Sequence, residues 1–159
     1  MNAQSDEFTV QLVEASLVPS DVGRTIVGEI WVSLDGIDFP SKRWRDFPLP
    51  ILEWWGRALH DLCIGEIHCS ECDFMHGPYS FIVERAGVQE ARVAFIDSSS
   101  LSSKCVASRS IVLAALCNEV IKASAALLDY IDRTEFVGTD AVALRRAHNE
   151  LQDVLDKTE

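Results

Sequence analysis

The sequence predicts an α+β domain in which an antiparallel sheet of two hairpins packs against an aromatic helix and a C-terminal helical hairpin. Alternating apolar and polar residues mark two pairs of strands, a segment with two prolines introduces one helix, and the last third of the chain has helical periodicity. The length of 159 residues and the 48% hydrophobic content fit a single domain, residues 1–159.

Alternating residues 8–14 predict a first strand. A longer alternating run at 24–34, with a short return at 37–39, predicts the first hairpin. One face of the longer run is apolar throughout and the other only in part, so we expect the second face to be partly covered. Asp-Gly at 35–36 suits a type I′ turn, which needs positive φ at both positions. The return strand 37–39 is short. It must either end at Pro40 or lie at the edge of the sheet, because proline has no N–H to donate.

An aromatic helix is predicted to begin at Pro48 and Pro50, because proline is favoured in the first turn of a helix. Apolar residues then recur at spacings of three and four up to Leu62, so we expect this helix to pack on both the sheet and another helix. Two adjacent tryptophans lie on it. We assign Trp55 to the core, and we leave Trp54 open between a core position and an interface anchor.

A second hairpin is predicted from alternation in residues 78–85 and 91–97. A serine-rich loop follows at 97–103. From about Val106 to Arg133 the apolar spacing predicts one long helix, and Thr139 is a suitable cap for a last helix. The C-terminal third is therefore predicted to be a helical hairpin.

The charge is strongly negative, with 14 basic and 25 acidic residues giving −11 at pH 7. This balance disfavours nucleic acid as a partner and allows a basic protein. No Lys or Arg occurs between Arg57 and Arg85. The acidic residues in this interval, which we predict to bind a partner, are Asp61, Glu66, Glu71, Asp73 and Glu84. The alternative interpretation is an acidic face that only contacts water.

The compartment is predicted from the cysteine content and from the absence of targeting signals. Five cysteines, an odd number, in a domain large enough to fold without disulfides favour a reducing compartment. No apolar run of about 18 residues occurs, and the N-terminus has no basic region followed by an apolar one. We therefore expect a cytoplasmic protein without a membrane span or signal peptide.

Catalytic motifs are missing from the sequence. It contains no phosphate-binding glycine loop, no G-x-S-x-G, no H-E-x-x-H and no calcium-binding loop. We therefore predict no catalytic residue and no cofactor. An enzyme with an unrecognised carboxylate site is kept as an alternative, and Glu29 and Glu84 are its candidates because each lies in a predicted strand. The simpler interpretation is that both carboxylates face water.

A second alternative is a metal-binding protein that uses Cys69, Cys72 and His76, which are spaced C-x-x-C-x-x-x-H. The candidates for a fourth ligand are His60, Cys63 and His68. Structural zinc sites normally have a second ligand pair at a separate position, and none occurs here, so this remains the lesser interpretation. The neighbouring Glu71 and Asp73 should raise the thiol pKa values, which argues against a reactive thiolate.

The remaining cysteines show no nucleophile motif. Cys117 lies on the core face of the long predicted helix and Cys63 at the end of the aromatic helix, so we expect both to pack as small apolar groups. Cys105 follows the serine-rich loop and is expected to be exposed. His148 shares a stripe with leucines, where a packed or boundary histidine is commoner than a ligand.

Three segments, EIWVSLDGIDFP, WRDFPLPILEWWGRAL and HGPYSFIVE, resemble small bacterial proteins that serve as immunity partners of polymorphic and contact-dependent toxins. The resemblance covers about half of the chain. It implies a cytoplasmic, non-enzymatic protein that binds and blocks one toxin domain, often a basic nuclease. The negative charge fits such a partner, because complementary charge speeds encounter and suppresses wrong partners. The resemblance assigns no role to any residue.

Overall fold

The computed structural model describes residues 7–20 and 25–157, and it confirms the α+β class. The strands are β1 Phe8–Ser20, β2 Thr25–Leu34, β3 Ile37–Phe39, β4 Arg45–Asp46, β5 Cys69–Asp73, β6 Tyr79–Arg85, β7 Glu90–Asp97 and β8 Lys104–Val112. The helices are α1 Pro48–Cys63, α2 Leu113–Thr134 and α3 Thr139–Lys157. Among the described helices, none is both long and apolar enough to cross a membrane.

The first sheet contains the predicted first hairpin. Strands β1, β2 and β3 lie in that order, and β4 also pairs with β2, all antiparallel. Asp35 and Gly36 join β2 to β3 with φ values of 51° and 86°, which confirms the turn with two positive φ angles. The predicted start of the second strand at Arg24 lies outside the described residues. β3 ends before Pro40, as the missing N–H requires.

The second sheet has the order β5, β6, β7, β8 and contains the predicted second hairpin as β6 and β7. The two predicted hairpins thus lie in two sheets. The prediction of a helix from Val106 was wrong: residues 104–112 pair with β7, and helix α2 begins only at Leu113. Strand β8 is exposed along nearly its whole length, so it has no apolar stripe by which the sequence could reveal it.

Helix α1 is the central element of the core. It packs on β2 and β5 as well as on α2 and α3, which confirms the prediction of contacts with both sheet and helix. Trp55 is fully buried, and its ring meets Phe74 and Phe81 edge-on with centroids 5.2 and 4.8 Å apart. The two sheets meet directly where Phe39 stacks on Phe95 at 4.9 Å. The core is therefore shared by both sheets and α1.

Asp46, in the two-residue strand β4, is a fully buried carboxylate. Its Oδ2 accepts hydrogen bonds from the Trp44 indole at 2.9 Å and from the backbone N–H of His76 at 3.1 Å. Its Oδ1 accepts from the backbone N–H of Phe47, next to the start of α1, at 2.8 Å. Since a buried carboxylate is tolerated only when it is hydrogen-bonded, these three donors hold β4, α1 and the turn after β5 together.

We expect Asp46→Asn to lower the free energy of unfolding by about 2 to 4 kcal/mol, because an amide NH₂ would face an N–H donor where an acceptor is needed. Chemical denaturation followed by tryptophan fluorescence measures this change. The matched control is Asp153→Asn on the exposed side of α3, which should change the free energy by less than about 0.5 kcal/mol. Equal effects of the two substitutions would contradict the assigned role of Asp46.

Candidate protein-binding surface

The C-x-x-C segment forms the edge strand β5, and this geometry bears on the metal interpretation. Side chains of a strand alternate between its faces, so residues three apart point to opposite sides. Cys69 is accordingly exposed and Cys72 is buried in the core. The ring of His76 stacks on Phe47 with centroids 5.1 Å apart. The two thiols and the imidazole therefore do not converge, and within the described ranges no three His, Cys, Asp or Glu side chains are grouped to hold a metal ion.

The five carboxylates predicted to bind a partner are all exposed, but they lie in two places. Glu71 and Asp73 point outward from β5, and Glu84 lies on the same outward face of β6, opposite Cys69. Asp61 and Glu66 lie instead at the C-terminal end of α1, where the Glu66 amide donates to the Asp61 carbonyl at 2.9 Å. The structure therefore groups three of the five on one sheet face.

One cation interrupts this sheet face. Arg92 of β7 lies directly opposite Glu84, and its guanidinium donates to the Ser108 hydroxyl at 2.9 Å. The interval without Lys or Arg in the sequence is therefore not free of positive charge in space. Glu71 and Asp73 lie further along β5, away from Arg92. The end of the sheet face that contains Glu71 and Asp73 is therefore the more negative one.

Beside Glu71 and Asp73 the surface forms a depression of about 380 Å³, which we call the acidic depression. Its lining residues are Trp54, Glu71, Asp73, Phe74, Met75, Gly77, Pro78, Tyr79, Ser80 and Ser98. Trp54 is 37% exposed and Met75 49% exposed, so large apolar side chains adjoin the two carboxylates. The open assignment of Trp54 is thus decided in favour of the surface, and Trp55 belongs to the core as predicted.

The electrostatics of the acidic depression follow from the spacing of the two carboxylates. Partial burial, and then the charge of Glu71, raise the pKa of Asp73 above its usual value. Glu71 itself accepts a hydrogen bond from the Ser80 hydroxyl at 3.1 Å. Two neighbouring carboxylates repel each other when both are ionised, so a cation placed between them would reduce the repulsion. The arrangement is suited to bind a positively charged group.

The pKa values of the neighbouring thiols are raised, in the direction that the sequence predicts. Burial and the charges of Glu84 and Glu71 raise the pKa of Cys69. Burial is the main cause that raises the pKa of Cys72 further still. Because the thiolate is the nucleophile, neither cysteine of the C-x-x-C segment is activated.

The backbone around the acidic depression is held by contacts on several sides. The indole N–H of Trp55 donates to the Asp73 carbonyl at 2.8 Å, and the Phe74 amide donates to the Tyr79 carbonyl at 3.0 Å. The His76 amide is bound by Asp46, as described above. Gly77 has φ of 74°, which lets the turn close. The depression is therefore formed before any partner arrives.

The two carboxylates considered for an acid–base pair are in different sheets. Glu29 lies in β2, only 8% exposed, and its two oxygens accept hydrogen bonds from Nε and Nη2 of Arg43, both at 3.2 Å. Glu84 lies in β6 and faces outward. The structure thus does not bring these two together, and the Arg43 contact gives Glu29 a structural partner. The carboxylates that do lie side by side are Glu71 and Asp73.

We expect Glu71→Gln to lower the pKa of Asp73, because it removes one of the two causes that raise it; burial should still hold the pKa above its usual value. Titration of the Asp73 carboxyl carbon by NMR measures the change. Asp153→Asn on α3 is the control and should leave the Asp73 titration unchanged. A pKa of Asp73 that does not respond to Glu71→Gln would contradict the coupling of the pair.

The acidic depression combines three properties in one preformed place: two adjacent carboxylates, exposed Trp54 and Met75, and a backbone held by α1 and Asp46. Aromatic and methionine side chains are enriched at protein interfaces, and paired carboxylates favour a cationic contact. No protein-family model, no curated protein and no solved structure matches the chain.

Proposed function

We propose that this chain is a non-enzymatic cytoplasmic binding protein of the immunity type, which binds and neutralises a basic toxin domain through the acidic depression. The observation that carries the proposal is the position of Glu71 and Asp73 beside exposed Trp54 in a preformed depression. The net charge of −11 supports the choice of a basic partner, because complementary charge raises the association rate.

The contact that fits the acidic depression is an Arg or Lys side chain of the partner. A guanidinium can donate two parallel hydrogen bonds to one carboxylate and stack its plane on an indole. Glu71 and Asp73 supply the carboxylates, and Trp54 supplies the ring. Partial burial and then the charge of Glu71 raise the pKa of Asp73, and such a contact would offset the second of these causes. Met75 offers an adaptable apolar contact next to it.

The immunity role follows from what a basic toxin domain must do. A nuclease that binds a phosphate backbone presents a positively charged surface to it. An acidic protein that covers this surface competes with the nucleic acid and blocks the enzyme. The resemblance of the hairpin, aromatic helix and G-P-Y strand segments to immunity proteins supports this role over simple sequestration of a basic protein.

The test measures binding to the protein encoded by the neighbouring gene, purified and titrated by calorimetry. The double variant Glu71→Gln/Asp73→Asn should weaken the affinity by about 10- to 100-fold. The matched control, Glu150→Gln/Asp153→Asn on α3, removes one exposed Glu and one exposed Asp elsewhere and should change the affinity by less than about threefold.

The same variants are then compared in cells that express the neighbouring protein. Unaltered chain and the α3 double variant should protect growth, and the depression variant should protect less. Equal affinities of the two double variants would contradict the acidic depression as the binding site. A neighbouring protein that neither binds nor slows growth would contradict the immunity function.

A further inference from the structure

Two cysteines far apart in the sequence lie side by side in the fold. Cys63 is the last residue of α1, and Cys117 lies on the buried face of α2. Their Sγ atoms are 3.7 Å apart although 54 positions separate them along the chain, and both are free thiols. Cys63 is half-buried, and Cys117 is completely buried. The sequence predicted only that each packs as a small apolar group.

Arg85 places a positive charge beside Cys63. One terminal nitrogen, Nη1, donates to the carbonyls of Leu62 and Cys63 at 2.9 and 3.1 Å. The other nitrogens, Nε and Nη2, donate to the carbonyls of Gly87 and Val88 at 3.1 and 2.8 Å. The carbonyls at a helix C-terminus carry partial negative charge that would oppose a thiolate. Arg85 neutralises this partial negative charge at the end of α1. Its positive charge also favours a thiolate at Cys63.

The two thiols differ in acidity. A hydrogen bond from Cys117, followed by the charges of Arg85 and His60, outweighs burial and lowers the pKa of Cys63 to about 7. The hydrogen bond to Cys63 and burial raise the pKa of Cys117. Cys63 is thus the more acidic thiol of the pair, and Cys117 is the one that keeps its proton.

A pocket of about 400 Å³ gives access to Cys63 from the surface. Its walls come from the end of α1, the β6–β7 loop, the start of α2 and the end of α3, and include Arg85, Gln89, Val112 and Val154. Cys117 lies behind Cys63 and does not line the pocket. A small reagent that enters therefore meets Cys63 first.

We propose that Cys63 and Cys117 form a reactive thiol pair that a hydroperoxide oxidises to a disulfide. Cys63 is oxidised first, and Cys117 then attacks the oxidised Cys63 sulfur. The proposal stands on the 3.7 Å contact, the pocket over Cys63 and the adjacent guanidinium of Arg85. It is independent of partner binding at the acidic depression. In a reducing compartment the pair rests as two thiols and returns to them through thiol–disulfide exchange.

The reaction balances in two steps. The Cys63 thiolate attacks one oxygen of the hydroperoxide, the O–O bond breaks, and the other oxygen leaves with the electron pair and takes a proton to become an alcohol or water. Cys63 is then a sulfenic acid. As the Cys117 sulfur attacks the Cys63 sulfur, its thiol proton passes to the departing hydroxyl, so no free Cys117 thiolate is required. The S–O bond breaks and water leaves. Two thiols are oxidised and one hydroperoxide is reduced.

The first test is the pH dependence of alkylation by iodoacetamide on the unaltered chain, quantified at each cysteine by mass spectrometry. The rate at Cys63 should rise with pH and reach half its maximum near pH 7, since only the thiolate reacts and its pKa is lowered to about 7. The rate at Cys69, whose pKa is raised, should still be rising above pH 9.0. A Cys63 that reacts no faster than Cys69 at neutral pH would overturn the proposal.

The second test treats the protein with hydrogen peroxide. The unaltered chain should lose about 2 Da and yield one cross-linked peptide pair that contains Cys63 and Cys117. Cys63→Ser should abolish this product. Cys117→Ser keeps a hydroxyl donor beside Cys63 but cannot form the disulfide, so it should leave a sulfenic acid at Cys63 that dimedone traps. Cys105→Ser is the matched control at an exposed thiol and should leave the cross-link unchanged.

Disulfides found only between exposed cysteines of different molecules would overturn the proposal, and so would a Cys63 that forms no dimedone adduct in Cys117→Ser. Because Cys117 is a core residue, circular dichroism first checks that this variant is folded. Where it is not folded, the cross-link map of the unaltered chain decides the question alone.

Discussion

The buried carboxylate of Asp46 is the constraint on which the arrangement of the chain depends. A carboxylate without contact to water must have its oxygens hydrogen-bonded, and here the donors come from Trp44, Phe47 and His76. Trp44 directly precedes β4, Phe47 directly precedes α1, and His76 lies in the turn after β5. To satisfy one side chain, the chain must bring the first sheet, α1 and the second sheet to the same point. The turn fixed in this way is also a wall of the acidic depression.

Helix α1 links both candidate sites to this constraint. Adjacent residues of a helix point about 100° apart, so Trp55 enters the core while Trp54 reaches the rim of the acidic depression. Trp55 also holds the last residue of β5 through its indole N–H. At the C-terminal end of the same helix, Cys63 meets Cys117. One helix thus positions the proposed binding surface and, separately, a thiol pair beside a pocket.

The sequence predicts those parts of the fold that local patterns determine. The Asp-Gly turn, β2, α1 and buried Trp55 follow from turn chemistry and periodicity, and the structure confirms them. Strands β5 and β8 lie at sheet edges with one or both faces in water, so pairing with distant partners decides their conformation and their residues do not reveal it. The same limit applies to the acidic interval, which the fold divides between β5 and the end of α1.

The cysteines show why spacing in the sequence has meaning only together with a conformation. Cys69 and Cys72 have the spacing of a metal knuckle, but on a strand this spacing sends one thiol to water and the other into the core. Cys63 and Cys117 have no motif, and packing of α1 against α2 brings their sulfurs to 3.7 Å. The surroundings then set the acidity of each thiol. Burial and the neighbouring carboxylates raise the pKa of Cys69, whereas the hydrogen bond from Cys117 and the charge of Arg85 lower the pKa of Cys63. The proposed thiol chemistry therefore lies where α1 meets α2 beside Arg85, and not in the C-x-x-C segment.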